Sequence, residues 1–177
     1  MKHKLLVEEM GRLTAAEYKA AEKLPVVAVL DNVRSLYNVG SVFRTADAFR
    51  LEGVVLCGVS GCPPKTEIHK TALGAEDSVD WRYFSETIDA VNTLRAEGFE
   101  IVAVEQVQSS VFLQEFRPEK GKKYALLFGN EVKGVCQEAV DAADVCLEIP
   151  QFGTKHSLNV SVSAGIVLWH FADGLRV

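Results

Sequence analysis

The sequence predicts an α/β protein: a mainly parallel sheet covered by helices on both faces. Three observations carry that expectation. Short β-branched runs alternate with longer segments of helical periodicity, the sequence form of strands joined by crossover helices. Most of the runs are apolar at nearly every position, as strands buried on both faces are. The chain has 177 residues, 48% apolar and 24% charged, enough to bury one sizeable core but cramped for two.

Residues 1–24 differ in character from the rest. Thr14 to Glu22 form a helical segment with few large apolar anchors, and Thr14 with Glu17 makes a capping-box pattern. They are expected to be a helical appendage, with residues 25–177 as one domain. Strands are expected at residues 25–30, 53–57, 100–104, 123–128 and 145–149, and the shorter, more polar 81–84 reads as an edge strand. A helix over 41–50 carries Val42, Ala46 and Phe49 on one side, with Asn38 as its expected N-cap and Gly40 permitting close backbone approach. A second, over 85–97, is expected to be capped by Ser85 and to bury Ile88, Val91 and Leu94. The last, over 158–175, lines up Val162, Ile166 and Trp169, and Val160, Val167 and Phe171 widen the stripe enough for burial on more than one side.

Charge and composition exclude several function classes. The 19 Lys and Arg against 24 Asp and Glu leave a net charge of −5, so any nucleic-acid contact must use a local patch. No run approaches the ~18 apolar residues of a spanning helix, and the opening turns acidic at Glu8 and Glu9 before a signal-peptide core develops. A soluble, cytoplasmic protein is expected. Cys57, Cys62, Cys136 and Cys146 lack CxxC spacing, and His3, His69, His156 and His170 show no ligand spacing, so reduced structural thiols and no metal are expected. Neither a P-loop nor a G-x-G-x-x-G occurs, which removes the main support for a domain acting on a small nucleotide.

Three polar clusters each follow an expected strand, where open α/β sheets place their ligands. The first runs from Asp31 to Ala46, the second from Phe128 to Val135 with two glycines around a polar tetrad, and the third from Ile149 to Ser163. Ser157, Asn159 and Ser161 are poor helix-interior residues at the start of a helix, a local conflict that often marks a site. On periodicity alone Arg44 reads as a surface ion-pair partner, and His156 as a loop residue with a possible substrate contact.

Taken in order, the clusters resemble the three signature motifs of the SpoU/TrmH family of S-adenosylmethionine-dependent RNA ribose 2′-O-methyltransferases, in the SPOUT superfamily. Motif one is Asn38-x-Gly40-x-x-x-Arg44-Thr45-Ala46. Motif two is Phe128-Gly129-Asn130-Glu131 with Gly134, and motif three is Ile149-Pro150 followed by Ser157-Leu158-Asn159-Val160-Ser161. The resemblance covers about residues 25–172. It implies a C-terminal trefoil knot, which ordinary topology rules would rank last, and a homodimer built on the motif-one helix and the last helix.

It further implies S-adenosyl-L-methionine bound by Phe128, Gly129, Asn130, Ile149, Ser157, Leu158 and Asn159, with Leu127, Ile149 and Leu158 as apolar walls and a branched side chain at Gly129 filling the pocket. Arg44 would clamp the 2′-hydroxyl and an adjacent phosphate, Glu131 would hold Arg44 or neighbouring donors, and Asn38, Ser157 and Asn159 would complete a polar floor. The implied partner is RNA, and the lack of a separate RNA-binding domain tilts the expectation toward tRNA over rRNA. The alternative is a non-catalytic, SPOUT-like RNA-binding dimer.

Overall fold

The computed structural model describes residues 2–176. A short helix α1 (Ala15–Ala20) precedes β1 (Leu24–Asp31), α2 (Leu36–Phe49) and β2 (Leu51–Cys57). Two small helices, α3 (Thr66–Ala72) and α4 (Ala75–Ser78), lead to β3 (Trp81–Phe84), α5 (Thr87–Ala96) and β4 (Phe99–Val104). After the two-residue β5 (Val111–Phe112) come β6 (Lys123–Phe128), α6 (Gln137–Ala142), β7 (Val145–Glu148) and α7 (Val160–Arg176). The seven strands form one sheet in the order β3-β2-β1-β6-β4-β7-β5, and every pairing is parallel. The expected edge position of 81–84 is where β3 lies.

Strand alternation splits the core in two. Along β1, Val26, Ala28 and Leu30 join Phe43, Leu168 and Phe171 on the face covered by α2, α3 and α7. Val27 and Val29 point the other way, joining Val91 and Leu94 of α5 and Ala139 of α6. Each of these β1 residues is 97% or more buried, so each large side chain contributes on the order of 1.5–3 kcal/mol through burial. Tyr18 of α1 is buried in the first of these clusters.

Several helix starts differ from the sequence expectation. Ser35, not Asn38, caps α2: its Oγ accepts from the Asn38 N–H at 3.3 Å. The helix begins early because Ser35 already meets the first orphan donors, which frees the Asn38 side chain. Ser85 does not cap α5, whose N-cap is Glu86 without a side-chain bond. The last helix starts at Val160, and Asn159 stands just outside it with Oδ1 accepting from the Ser161 N–H at 2.9 Å. Gly40 does permit close approach, since a Cβ there would lie 2.2 Å from Thr71 Oγ1 and 2.3 Å from the Ile68 carbonyl oxygen of α3.

A fully buried carboxylate, Asp31, sits at the end of β1. Its Oδ1 accepts from Thr87 Oγ1 at 2.6 Å and Asn32 Nδ2 at 2.8 Å, and its Oδ2 accepts from the Cys136 N–H at 2.6 Å. One side chain thus ties the sheet centre to the first residue of α5 and to the residue that precedes α6. Replacing Asp31 with Ala strands three donors. With each such group costing about 1–3 kcal/mol, the variant is expected to lose about 3 kcal/mol or more, read as a lower urea midpoint with an unchanged m-value.

Candidate active site

The register brings the motif-bearing strand ends level with one another. Phe128, the last residue of β6, pairs with Leu30 on one side and Val104 on the other, and Val104 pairs with Leu147 of β7. A cleft of about 340 Å³ opens beyond these carboxyl ends, where a parallel sheet places its ligands. Phe128, Leu147, Ile149, Leu158 and Val160 supply apolar walls, and Glu105, Asn130, Gln151 and Ser157 supply polar groups. Leu127 is not among the walls. It follows the strand alternation to the opposite face and packs with Val91 and Leu94 under α5.

The loop after β6 closes on itself. Asn130 and Gly134 exchange backbone hydrogen bonds of 3.2 and 3.1 Å, and Asn130 Oδ1 accepts from the N–H groups of Val132 and Lys133 at 3.0 and 2.9 Å. A Cβ on Gly129 would stand 1.9 Å from the Gly134 carbonyl carbon and 2.1 Å from the Val135 nitrogen. The glycine is therefore needed by the loop backbone itself, which corrects the expectation that a side chain there would fill the pocket.

Motifs one, two and three meet at Asn38. Its Nδ2 donates to Glu131 Oε1 at 2.8 Å, and its Oδ1 accepts from Asn159 Nδ2 at 3.4 Å. Glu131 thus holds Asn38 and does not hold Arg44, because Asn38 sits one turn into α2, nearer the loop, while Arg44 lies nearly two turns further along. Arg44 is exposed, and among the described residues its guanidinium has no ion pair or hydrogen bond, so the surface ion pair that periodicity favoured is not formed.

Phe128, Gly129, Asn130, Glu131, Ile149, Ser157 and Leu158 all line the cleft, as does His156. Asn159 lies outside the lining, divided between capping α7 and reaching Asn38. Sequence reasoning passed over Glu105, which lines the cleft and accepts from the Val135 N–H at 2.9 Å. The available signal was a carboxylate directly after the apolar run 101–104.

Burial pushes the Cys57 thiol up to about 12 and raises Cys62, Cys136 and Cys146 as well, so near neutral pH none is a ready thiolate nucleophile. Among the described residues no three His, Cys, Asp or Glu side chains are grouped to hold a metal ion, and no helix is long and apolar enough to cross a membrane.

Residues 25–169 match the model of the SpoU rRNA Methylase family. A tRNA (guanosine(18)-2′-O)-methyltransferase of Aquifex aeolicus is 31% identical over 172 residues, covering 96% of this chain and 78% of the relative. A 23S rRNA (guanosine-2′-O-)-methyltransferase of Neisseria meningitidis is 29% identical, covering 81% of this chain and 56% of the relative. In three dimensions, the crystal structure of an AdoMet-bound rRNA methyltransferase from Sinorhizobium meliloti superposes with a TM-score of 0.80 at 29% identity, over 90% of this chain and 61% of that one. The chain thus spans less than two thirds of two of these three proteins. A match over residues 25–169, with all three polar motifs gathered at the carboxyl ends of a parallel sheet, means that this chain belongs to the SpoU rRNA methylase family.

Proposed function

We propose that the chain binds S-adenosyl-L-methionine in the cleft and methylates a ribose 2′-hydroxyl of structured RNA, with tRNA favoured over rRNA. The observation that carries this reading is the junction of an apolar-walled cleft with the Asn38–Glu131–Asn159 cluster, which joins all three motifs. The cleft fits the donor. Its volume falls in the ~300–1,000 Å³ range of small-molecule sites, its walls suit an adenine ring, and Gln151 and Ser157 offer polar groups to read polar edges.

When bound, S-adenosylmethionine supplies a methyl group on a positively charged sulfur. The chain must then align a nucleophile that is hardly ionised near neutral pH. Arg44 offers an uncommitted guanidinium fork, suited to hold the 2′-hydroxyl and a neighbouring phosphate together while the hydroxyl proton passes to phosphate or water. Arg34, Lys133 and Lys155 are also exposed without ion pairs among the described residues, a local cationic surface on a chain of net charge −5. The preference for tRNA is supported by the Aquifex relative, 78% of which the chain covers. The free cysteines fit a reducing, cytoplasmic setting.

A homodimer and the family's knotted backbone belong to the same reading. Val162, Ile166 and Trp169 remain 49%, 40% and 57% exposed on α7, and Trp169 packs against Phe49 at the end of α2, with ring centroids 5.7 Å apart. Support for the knot is that α7, after motif three, returns to pack beside the 113–118 segment, where His170 Nε2 donates to the Phe116 carbonyl at 2.8 Å. Light scattering is expected to give a dimer, and Ile166→Asp a 19.4 kDa monomer; a wild-type monomer at micromolar concentration would remove the dimer from the reading.

Calorimetry with S-adenosylmethionine, followed by methylation of purified tRNA and rRNA with mapping of 2′-O-methyl positions, tests the whole proposal. Donor binding with methyl incorporated at a ribose is the expected result. RNA binding without donor binding would leave the non-catalytic RNA-binding dimer in its place.

A further inference from the structure

We propose that Glu105 is a positioning residue for the donor site, a bracket that sets the gap between the two loops forming the cleft. This rests on the donor reading above, but the bracket is visible in the chain itself. Glu105 follows the last residue of β4 and joins it to the loop after β6 and to β7. Its Oε2 accepts from the Val135 N–H at 2.9 Å, at the end of the loop after β6. Its Oε1 accepts from the Gln106 N–H at 3.0 Å, which fixes the rotamer of the carboxylate. Its own N–H donates to the Leu147 carbonyl at 3.0 Å, on the strand that runs into motif three.

The contact with the loop is close. Gly134 has φ of +68°, and a Cβ there would stand 2.0 Å from Glu105 Oε2. Carboxylate and loop backbone therefore pack directly against each other, which a side chain at position 134 would prevent.

Val135 and the next residue, Cys136, are held by two carboxylates at the ends of different strands, Glu105 just past β4 and Asp31 at the end of β1. The two acids are placed for different duties. Asp31 is fully buried and ties together the starts of two helices, whereas Glu105 lines the cleft. Hydrogen bonds within the 129–134 loop keep its shape, but the Val135 bond fixes where that shape stands relative to Ile149 and Leu158 across the cleft. A bond from a neutral N–H to a carboxylate is stronger than one between neutral groups, as suits a residue holding a wall in place.

The test compares Glu105→Ala, Glu105→Asp and Glu105→Gln in the full chain by amide hydrogen exchange and by calorimetry with S-adenosylmethionine. In Glu105→Ala the Val135 amide is expected to exchange about tenfold faster or more, reporting local opening, and donor affinity to fall about tenfold or more with the lost bond. Glu105→Asp should resemble Ala, because the carboxylate is one methylene short of the loop. Glu105→Gln should lie between, since its amide oxygen can serve only one of the two N–H groups, and it carries the test should the Ala variant fail to fold. An unchanged Val135 exchange rate in Glu105→Ala would overturn the bracket. Faster exchange with undiminished donor affinity would overturn its role at the site. A wild-type protein that binds no donor would instead remove the parent reading and the donor role with it, while the exchange measurement still decides whether Glu105 holds the loop.

Discussion

Replacing Arg44 with Ala is expected to slow single-turnover methyl transfer by about two orders of magnitude or more, equivalent to about 2.7 kcal/mol of barrier, with donor affinity and assembly unaltered. The structure makes this a clean experiment. Arg44 is exposed and makes no ion pair among the described residues, so its loss should change stability by less than about 0.5 kcal/mol, and any fall in rate reports chemistry or RNA positioning. Arg44→Lys should fail as well, because an ammonium keeps the charge but not the planar fork that engages hydroxyl and phosphate together. Saturating donor and RNA in a single-turnover format separate the chemical step from binding. An Arg44→Ala enzyme within about threefold of wild type, well short of the tenfold that 1.4 kcal/mol represents, would refute the assignment.

Gly129→Val should abolish measurable donor binding, an affinity loss of about a hundredfold or more, while the sheet stays folded. The first atom of any side chain at this position meets the Gly134 carbonyl carbon at 1.9 Å and the Val135 nitrogen at 2.1 Å. Both belong to backbone, which cannot swing aside as a flexible side chain would. The loop must open, with loss of the Asn130–Gly134 pairing and of the wall it forms. Phe128, directly before it, is anchored in β6 between Leu30 and Val104, so the disturbance should stay local. Calorimetry reads the affinity and circular dichroism the fold. Gly129→Ala, lacking the branch, still carries the clashing Cβ and should lose affinity too; an alanine variant that binds like wild type would show that the loop can relocate without cost to the site.

The central strands were legible because burial on both faces leaves nearly continuous apolar runs, as at 26–30 and 124–128. Elements that bury little left no such signature. In α3 only Ile68 and Ala72 are buried, in α6 only Ala139, and β5 has two residues. The cap of α2 was misplaced because Ser35 and Asn38 are both good capping residues; Ser35 takes the cap, and the freed Asn38 side chain engages Glu131, distant in sequence.

Most of the cleft lining falls within the second and third polar clusters and was legible there. The bond partners were not, since Glu131 with Asn38 and Glu105 with Val135 depend on which strand ends lie side by side. The same dependence explains Leu127: its apolar character was evident, but which face it points to follows only from the register of β6. Asn159 shows the reverse case, a residue whose local conflict with helix propensity was visible and whose cause is its position outside the helix, as cap and as partner of Asn38.

The place of β6 in the sheet also bears on how the chain is made. β6 separates β1 from β4, so Val26 acquires its partner Tyr124 only after nearly a hundred intervening residues have been synthesised. Until then β1 can pair with β2 alone, and its other edge, flanked by apolar side chains, stays open. β4 has to wait beside it without closing the gap, for direct pairing with β1 would leave β6 no place. A nascent chain on the ribosome is therefore exposed to mispairing from the completion of β1 at Asp31 until β6 begins at Lys123. Slow elongation before residue 123 would lengthen that window, while chaperone binding to the open edge of β1 would protect it.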